Sequence, residues 1–248
     1  MQKQIPRITT RGYYDLTNGS TLKSNFYYLD PKKSFEKLRR KKEITIMIHG
    51  LQNNKAGAVT KFKIAQRRLR ALGYRYPVVG YSYDANTKGA HLKKSELHAI
   101  RVGQKIAKKN GRNLAKFILD FKKQNPTTKI RLMGHSLGSE VILSTLQNLY
   151  SKSKKPQVET VHFFGASLPS NFQKSNSTIL KNTVNSKIVN CYSPTDGVLR
   201  YSHEKGYVKN PLGLCGASGK TISKYVQKKL KPKNHRFMSY AEVLKSFP

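Results

Sequence analysis

The chain predicts an α/β fold: a doubly wound, mostly parallel sheet with helices on both faces and antiparallel strands at its beginning. Three observations carry this expectation. Short apolar runs alternate in order with longer stretches of helical periodicity, the pattern of strand–helix–strand units. The run at 44–48, Ile-Thr-Ile-Met-Ile, is continuous rather than alternating, as a parallel strand covered on both faces should be. Near the N-terminus an Asn18-Gly19 pair sits between weakly alternating residues, Ile5, Ile8 and Tyr13 before it and Leu22, Phe26 and Tyr28 after it. Asn-Gly supplies the positive φ angles of a tight hairpin turn, so the sheet should begin antiparallel.

The elements follow in order. Residues 31–42 form a short basic segment, a helical turn or a loop, before the strand at 44–48, which ends in the polar turn His49-Gly50-Leu51-Gln52. Phe62, Ala65, Leu69 and Leu72 fall at helical spacing, and Gly73 offers a C-terminal stop. The opposite face carries Lys61, Lys63, Arg67, Arg68 and Arg70. A strand at 77–83 is followed by a polar loop, then by a long helical region over 96–124 with Gly111 as a candidate break and Asn125-Pro126 as its end. Further strands are expected at 129–133, 158–164, 188–192 and 221–226, with helices over 139–150 and in the final residues. Right-handed crossovers place helices on both faces and active groups at the carboxyl ends of the strands.

With 248 residues, one domain spanning 1–248 is expected. Lid candidates are the polar segments 84–95 and 167–187. Two cysteines, Cys191 and Cys215, are too few for a disulfide framework and lack metal-ligand spacing, so both are expected reduced and buried. The first residues hold no apolar leader segment and no run approaches 18 apolar residues, which sets the expectation of a soluble, cytoplasmic chain. The charge is unusual: 48 Lys and Arg against 12 Asp and Glu give +36. Such a balance attracts polyanions, either an anionic membrane surface or nucleic acid, although solvated helix faces explain the clusters Arg39-Arg40-Lys41-Lys42, Arg67-Arg68, Lys108-Lys109 and Lys228-Lys229 about as well.

The chemistry centres on Gly134-His135-Ser136-Leu137-Gly138, which lies where a β-rich run meets a helical one. Glycines two residues either side of a serine allow a turn so sharp that the serine hydroxyl stands exposed above the sheet. A serine hydroxyl is a weak nucleophile and needs a base, which in turn needs an orienting acid. In this arrangement the order along the chain is Ser, acid, His. Asp196 is the one aspartate after Ser136, and it lies just past the strand at 188–192; Glu140, Glu159, Glu204 and Glu242 are the alternatives. For the base, His235 is preferred to His203 because it lies beyond the last expected strand; His162 sits inside a strand. His91, His98 and His135 read as loop, helix and elbow positions. Backbone N–H groups of Leu51, with Gln52 as alternate, and of Leu137 are the expected oxyanion donors. No metal or organic cofactor is required.

Together, residues 44–51 (ITIMIHGL), 134–139 (GHSLGS), 190–199 (NCYSPTDGVL) and 234–240 (NHRFMSY) resemble an α/β-hydrolase over about residues 40–248. The last two blocks are similar to poorly characterised serine hydrolases related to lipases and esterases. The resemblance implies an α/β-hydrolase fold and a Ser136, Asp196, His235 triad. It further implies cleavage of a carboxylic ester, small or lipidic, through an acyl-enzyme that water hydrolyses. Acyl transfer or thioester cleavage by the same triad is the alternative within that chemistry. A scaffold that binds anionic surfaces or nucleic acid is the alternative outside it. Region 200–222 matches no substrate-defining pattern.

Overall fold

The computed structural model describes residues 4–89, 92, 94–153 and 155–248. One eight-stranded sheet runs through it: β1 (Arg7–Thr9), β2 (Tyr28–Asp30), β3 (Glu43–Ile48), β4 (Val78–Ser82), β5 (Lys129–His135), β6 (Val158–Phe164), β7 (Val184–Tyr192) and β8 (Tyr225–Lys229). Their spatial order is β2-β1-β4-β3-β5-β6-β7-β8; β1 and β2 pair antiparallel and every other pairing is parallel. This is a doubly wound, mostly parallel α/β sheet, with the antiparallel pair at the N-terminal end where it was expected.

The Asn18-Gly19 turn is present, with Gly19 at φ +71°. It closes a small loop bridged by Tyr14 and Thr21, however, and does not join the β1–β2 pair. Gly12, Tyr13 and Tyr14 hang their N–H groups on the buried Asp84 carboxylate, which draws the chain between the two strands down onto the protein body.

Pleating divides the strands between two cores. Ile44, Ile46 and Ile48 of β3 face α3 (Glu96–Gln124), α4 (Gly138–Lys152) and α5 (Phe172–Thr183). Met47 faces the opposite core with α2 (Lys55–Ala71) and α8 (Phe237–Val243). Side chains alternate across a strand, so one apolar run serves both layers. Three short helices complete the set: α1 (Lys32–Glu36), α6 (Gly197–Glu204) and α7 (Leu212–Cys215). No helix among the described residues is long and apolar enough to cross a membrane.

Several expectations are corrected. Helix α3 is unbroken at Gly111. A Cβ there would lie 2.3 Å from the Ser144 Cβ, so the glycine serves close packing of α3 on α4 rather than a kink. Segment 167–187 is mostly α5 and the start of β7, not a loose lid; within 84–95, Asp84 is buried, Ser95 precedes α3, and Ala90, His91 and Lys93 lie outside the described residues. The last strand is shifted from 221–226 to Tyr225–Lys229, where it pairs with β7 in the register Ile188↔Tyr225 to Tyr192↔Lys229. Both cysteines are free, as expected, but only Cys191 is buried; Cys215 is exposed.

Candidate active site

Ser136 sits at the junction of β5 and α4 with φ +52°, a conformation that costs a non-glycine residue energy and persists only where its surroundings enforce it. Those surroundings are specific. A Cβ on Gly134 would lie 2.6 Å from Ile142 Cδ1, and one on Gly138 would lie 2.6 Å from the Ile48 carbonyl oxygen. The two flanking glycines therefore let the helix start pressed against β3. The Ser136 N–H donates to the Phe164 carbonyl at 3.0 Å, and the Ser139 hydroxyl donates to the Ser136 carbonyl at 2.6 Å.

Asp196 lies just past β7, as N-cap of α6, and His235 lies in the turn before α8. The structure brings both to the serine. His235 Nδ1 is 2.7 Å from Asp196 Oδ2, and its Nε2 is 2.9 Å from the Ser136 Oγ. A carboxylate only accepts, so Nδ1 carries the hydrogen and Nε2 is left to accept the serine proton. Asp196 receives two further bonds, from the Tyr240 hydroxyl at 2.6 Å and from the Leu199 N–H at 3.1 Å. Burial works against its ionisation, but the bonds from His235, Tyr240 and Leu199 outweigh it and hold the carboxyl below its usual range.

The other candidates lie elsewhere. Glu159 pairs with Lys129 and receives a bond from Asn185; Glu140 is on α4, Glu204 ends α6 and Glu242 is in α8. His203 Nδ1 accepts the Asn210 N–H at 3.3 Å. His98 is bonded to the Thr17 carbonyl at 2.7 Å. His162 is fully enclosed in β6, its ring against Phe247 and neither nitrogen bonded.

Two supports escaped the sequence reading. His135 donates through Nε2 to the His235 carbonyl at 2.7 Å and so fixes the backbone that carries the base. Burial first, then the neighbouring His235, pushes the His135 pKa down to about 3, so its ring stays neutral. Arg11 reaches from the N-terminal segment to His49 Nε2 (3.1 Å), the Asn53 carbonyl (2.9 Å) and Ser82 Oγ (3.0 Å). It clamps the loop after β3, which Asn53 closes further by donating to the carbonyls of Gly50 and Leu51. No local pattern announces either contact, because each joins segments remote in sequence.

Within that loop the Gln52 N–H donates to the Ala85 carbonyl at 2.6 Å and is spent. The alternate donor is thereby corrected: Leu51, together with Leu137 at the head of α4, retains an N–H outside the backbone hydrogen-bond network of the described residues. Gly50 permits the approach, since a Cβ there would lie 2.9 Å from the Ser136 Cβ.

A cleft of about 800 Å³ opens above Ser136 and His235. Leu51, Ile100, Leu137, Val198, Leu199 and Val208 supply apolar lining. One wall of it is α6 and the turn after it, and Ser167, the first residue of the expected lid segment 167–187, lines it as well. Tyr201 and Tyr207 both donate to Glu96 of α3, at 2.9 and 3.0 Å, tying that wall across the cleft. Among the described residues no group of three or more His, Cys, Asp or Glu side chains is arranged to hold a metal ion.

A family model described as "Protein of unknown function (DUF726)" matches residues 98–213, a span that includes Ser136 and Asp196 but not His235. No curated protein matches. Similar solved structures include a predicted CIB-like hydrolase from Thermoplasma acidophilum, 16% identical over 82% of each chain with a TM-score of 0.41. A lipase-esterase related protein from Clostridium acetobutylicum is 12% identical over 82% of this chain and 92% of its own, TM-score 0.41. A cutinase-like protein from Cryptococcus sp. is 12% identical over 76% and 75%, TM-score 0.37.

Proposed function

We propose that the protein is a serine hydrolase that cleaves carboxylic esters through an acyl-enzyme. The observation that carries this reading is the continuous chain of hydrogen bonds from Ser136 Oγ to His235 to Asp196, at 2.9 and 2.7 Å, beside an open cleft. A surface serine rarely has an imidazole whose free nitrogen faces it while the other is held by a buried carboxylate.

In the proposed reaction Ser136 Oγ attacks the ester carbonyl carbon as its proton passes to His235 Nε2. The carbonyl oxygen becomes an oxyanion, stabilised by the N–H groups of Leu51 and Leu137 and by the first turn of α4. Collapse breaks the bond to the alcohol, which leaves with the proton from His235. Water then repeats the sequence on the acyl-serine, delivering its proton to His235, and releases the carboxylic acid and free Ser136. Asp196 stays ionised throughout and stabilises the transient imidazolium. The apolar wall of Leu51, Leu137, Val198 and Val208 suits the acyl chain of the ester.

Hydrolysis of p-nitrophenyl esters of graded acyl length tests this directly. Wild-type turnover is expected, and Ser136→Ala and His235→Ala should each lower kcat by at least about 1000-fold with the thermal unfolding transition retained. Turnover unchanged in folded Ser136→Ala would refute the reading. Product analysis with an added alcohol separates hydrolysis from acyl transfer.

A further inference from the structure

A second concavity, about 890 Å³, lies at the amino ends of β1 and β4, the opposite end of the sheet from Ser136. Six cations line it: Lys37 and Lys41 from the segment after α1, Lys63, Arg67 and Arg70 from α2, and Arg75 from the turn before β4. No carboxylate lines it. The ion pairs among the described residues draw on other groups, namely Arg7, Lys116, Lys129, Arg131 and His235. Six cations with no carboxylate in the lining repel one another, and that repulsion is relieved when an anion enters.

Their placement is ordered. Lys63, Arg67 and Arg70 recur at four and then three residues, so they form one stripe about 10 Å long on α2. Lys37 and Lys41 also line the groove, from a different segment of the chain. Charge clusters that look scattered along the sequence, 39–42 and 67–68 among them, are here partly folded into one groove. Tyr76 lies in the same lining, exposed and braced edge-on against Tyr74 at 5.4 Å.

From this groove we infer that the protein binds single-stranded nucleic acid, the phosphodiester chain running along the α2 stripe and a base stacking on Tyr76. The concave shape suits a strand better than a bilayer surface. Of the aliphatic groups in the lining, Ile5, Leu38 and Val78 are buried and Pro6 and Pro77 are half-buried, so the groove offers a membrane no exposed aliphatic side chain to receive. A cationic groove with an aromatic platform is the arrangement that holds a strand without reading its sequence. The site is independent of the proposed hydrolysis and stands whether or not Ser136 is a nucleophile.

The test must separate this groove from a net charge of +36. Anisotropy of a labelled thymidine oligonucleotide of about 12 nucleotides is titrated with the full chain between about 50 and 200 mM salt. The groove variant Lys63→Gln/Arg67→Gln/Arg70→Gln is compared with Lys152→Gln/Lys174→Gln/Lys181→Gln, which removes three exposed cations from α4 and α5. Circular dichroism and thermal unfolding verify that both fold. The groove variant should bind at least about 10-fold more weakly, its log–log salt slope reduced by about 2 units. The remote variant should stay within about 3-fold of wild type. Tyr76→Ala should weaken binding with the salt slope unchanged. Equal loss in the two triple variants would overturn the inference, as would binding to phosphatidylserine vesicles or polyphosphate without binding to the oligonucleotide.

Discussion

Asp196 is 2% exposed, and three donors converge on its carboxylate: His235, Tyr240 and the backbone of Leu199. Because Tyr240 and His235 share Oδ2, the phenol fixes the oxygen that orients the imidazole. Removing that hydroxyl in Tyr240→Phe deletes a bond to a charged acceptor, worth about 1.5 to 3 kcal/mol, while two donors remain. The expected result is kcat lowered by about 10-fold and stability lowered by about 1 to 2 kcal/mol, read by ester hydrolysis and urea unfolding. An unchanged kcat would remove Tyr240 from the positioning machinery. This residue marks where sequence reasoning stops. Ser136, Asp196 and His235 could be singled out because a turn motif, one aspartate past a strand and a histidine after it restrict the choices. Tyr240 falls in the final helical stretch and His135 at an elbow position, and nothing local says that either touches His235 or Asp196.

Helices α3 and α4 show what a single atom decides at the scale of elements. A glycine inside an exposed helix costs about 1 kcal/mol relative to alanine, so Gly111→Ala would be stabilising on propensity alone. The added Cβ would instead lie 2.3 Å from Ser144 Cβ and 2.6 Å from its carbonyl carbon, backbone that cannot move without shifting α4. Overpacking of that kind costs about 1 to 3 kcal/mol, and the net expectation is a destabilisation of up to about 2 kcal/mol in chemical unfolding. A gain in stability would show that the helices slide apart freely. Gly111 reads as a helix break because its close partner is 33 residues away in sequence, whereas the extent of the helix, 96–124, is legible. Across the cleft, α6 is capped by Asp196 and tied to α3 through Glu96. Tyr201→Phe/Tyr207→Phe should release that wall and raise KM for long-chain esters by several-fold more than for acetate, with kcat for acetate little altered. Equal KM changes for both esters would separate the wall from acyl recognition.

Among the described residues the molecule encloses three histidines that prefer to be neutral, His49, His135 and His162. Burial lowers all three, His49 well below its ordinary value with help from Arg11, and His135 and His162 to about 3. Their unfolded counterparts titrate near about 6.5, so below that pH the unfolded chain binds more protons and the native state loses stability as pH falls. Asp196 acts in the same direction but lower: its depressed pKa gives stability present above about 4 and lost as pH falls through the folded value. Between about pH 6 and 5 the histidines therefore dominate, each steepening the loss toward about 1.4 kcal/mol per pH unit. His162→Leu should make that slope shallower by one proton and, because neither ring nitrogen is bonded, stabilise the protein at pH 7 by about 1 kcal/mol. Urea unfolding with a pH-independent midpoint from 7 to 5 would contradict this balance. At this scale the alternation of strands and helices made the parallel sheet readable, whereas the gathering of cations beside α2 depends on how the chain closes. The convergence of positions 136, 196 and 235 is likewise a property of the closed molecule, and labelling with a fluorophosphonate followed by peptide mapping tests it most directly. One covalent adduct is expected, on Ser136, whose rate of formation collapses in His235→Ala. An unlabelled folded protein, or an adduct on another residue with Ser136 untouched, would contradict it.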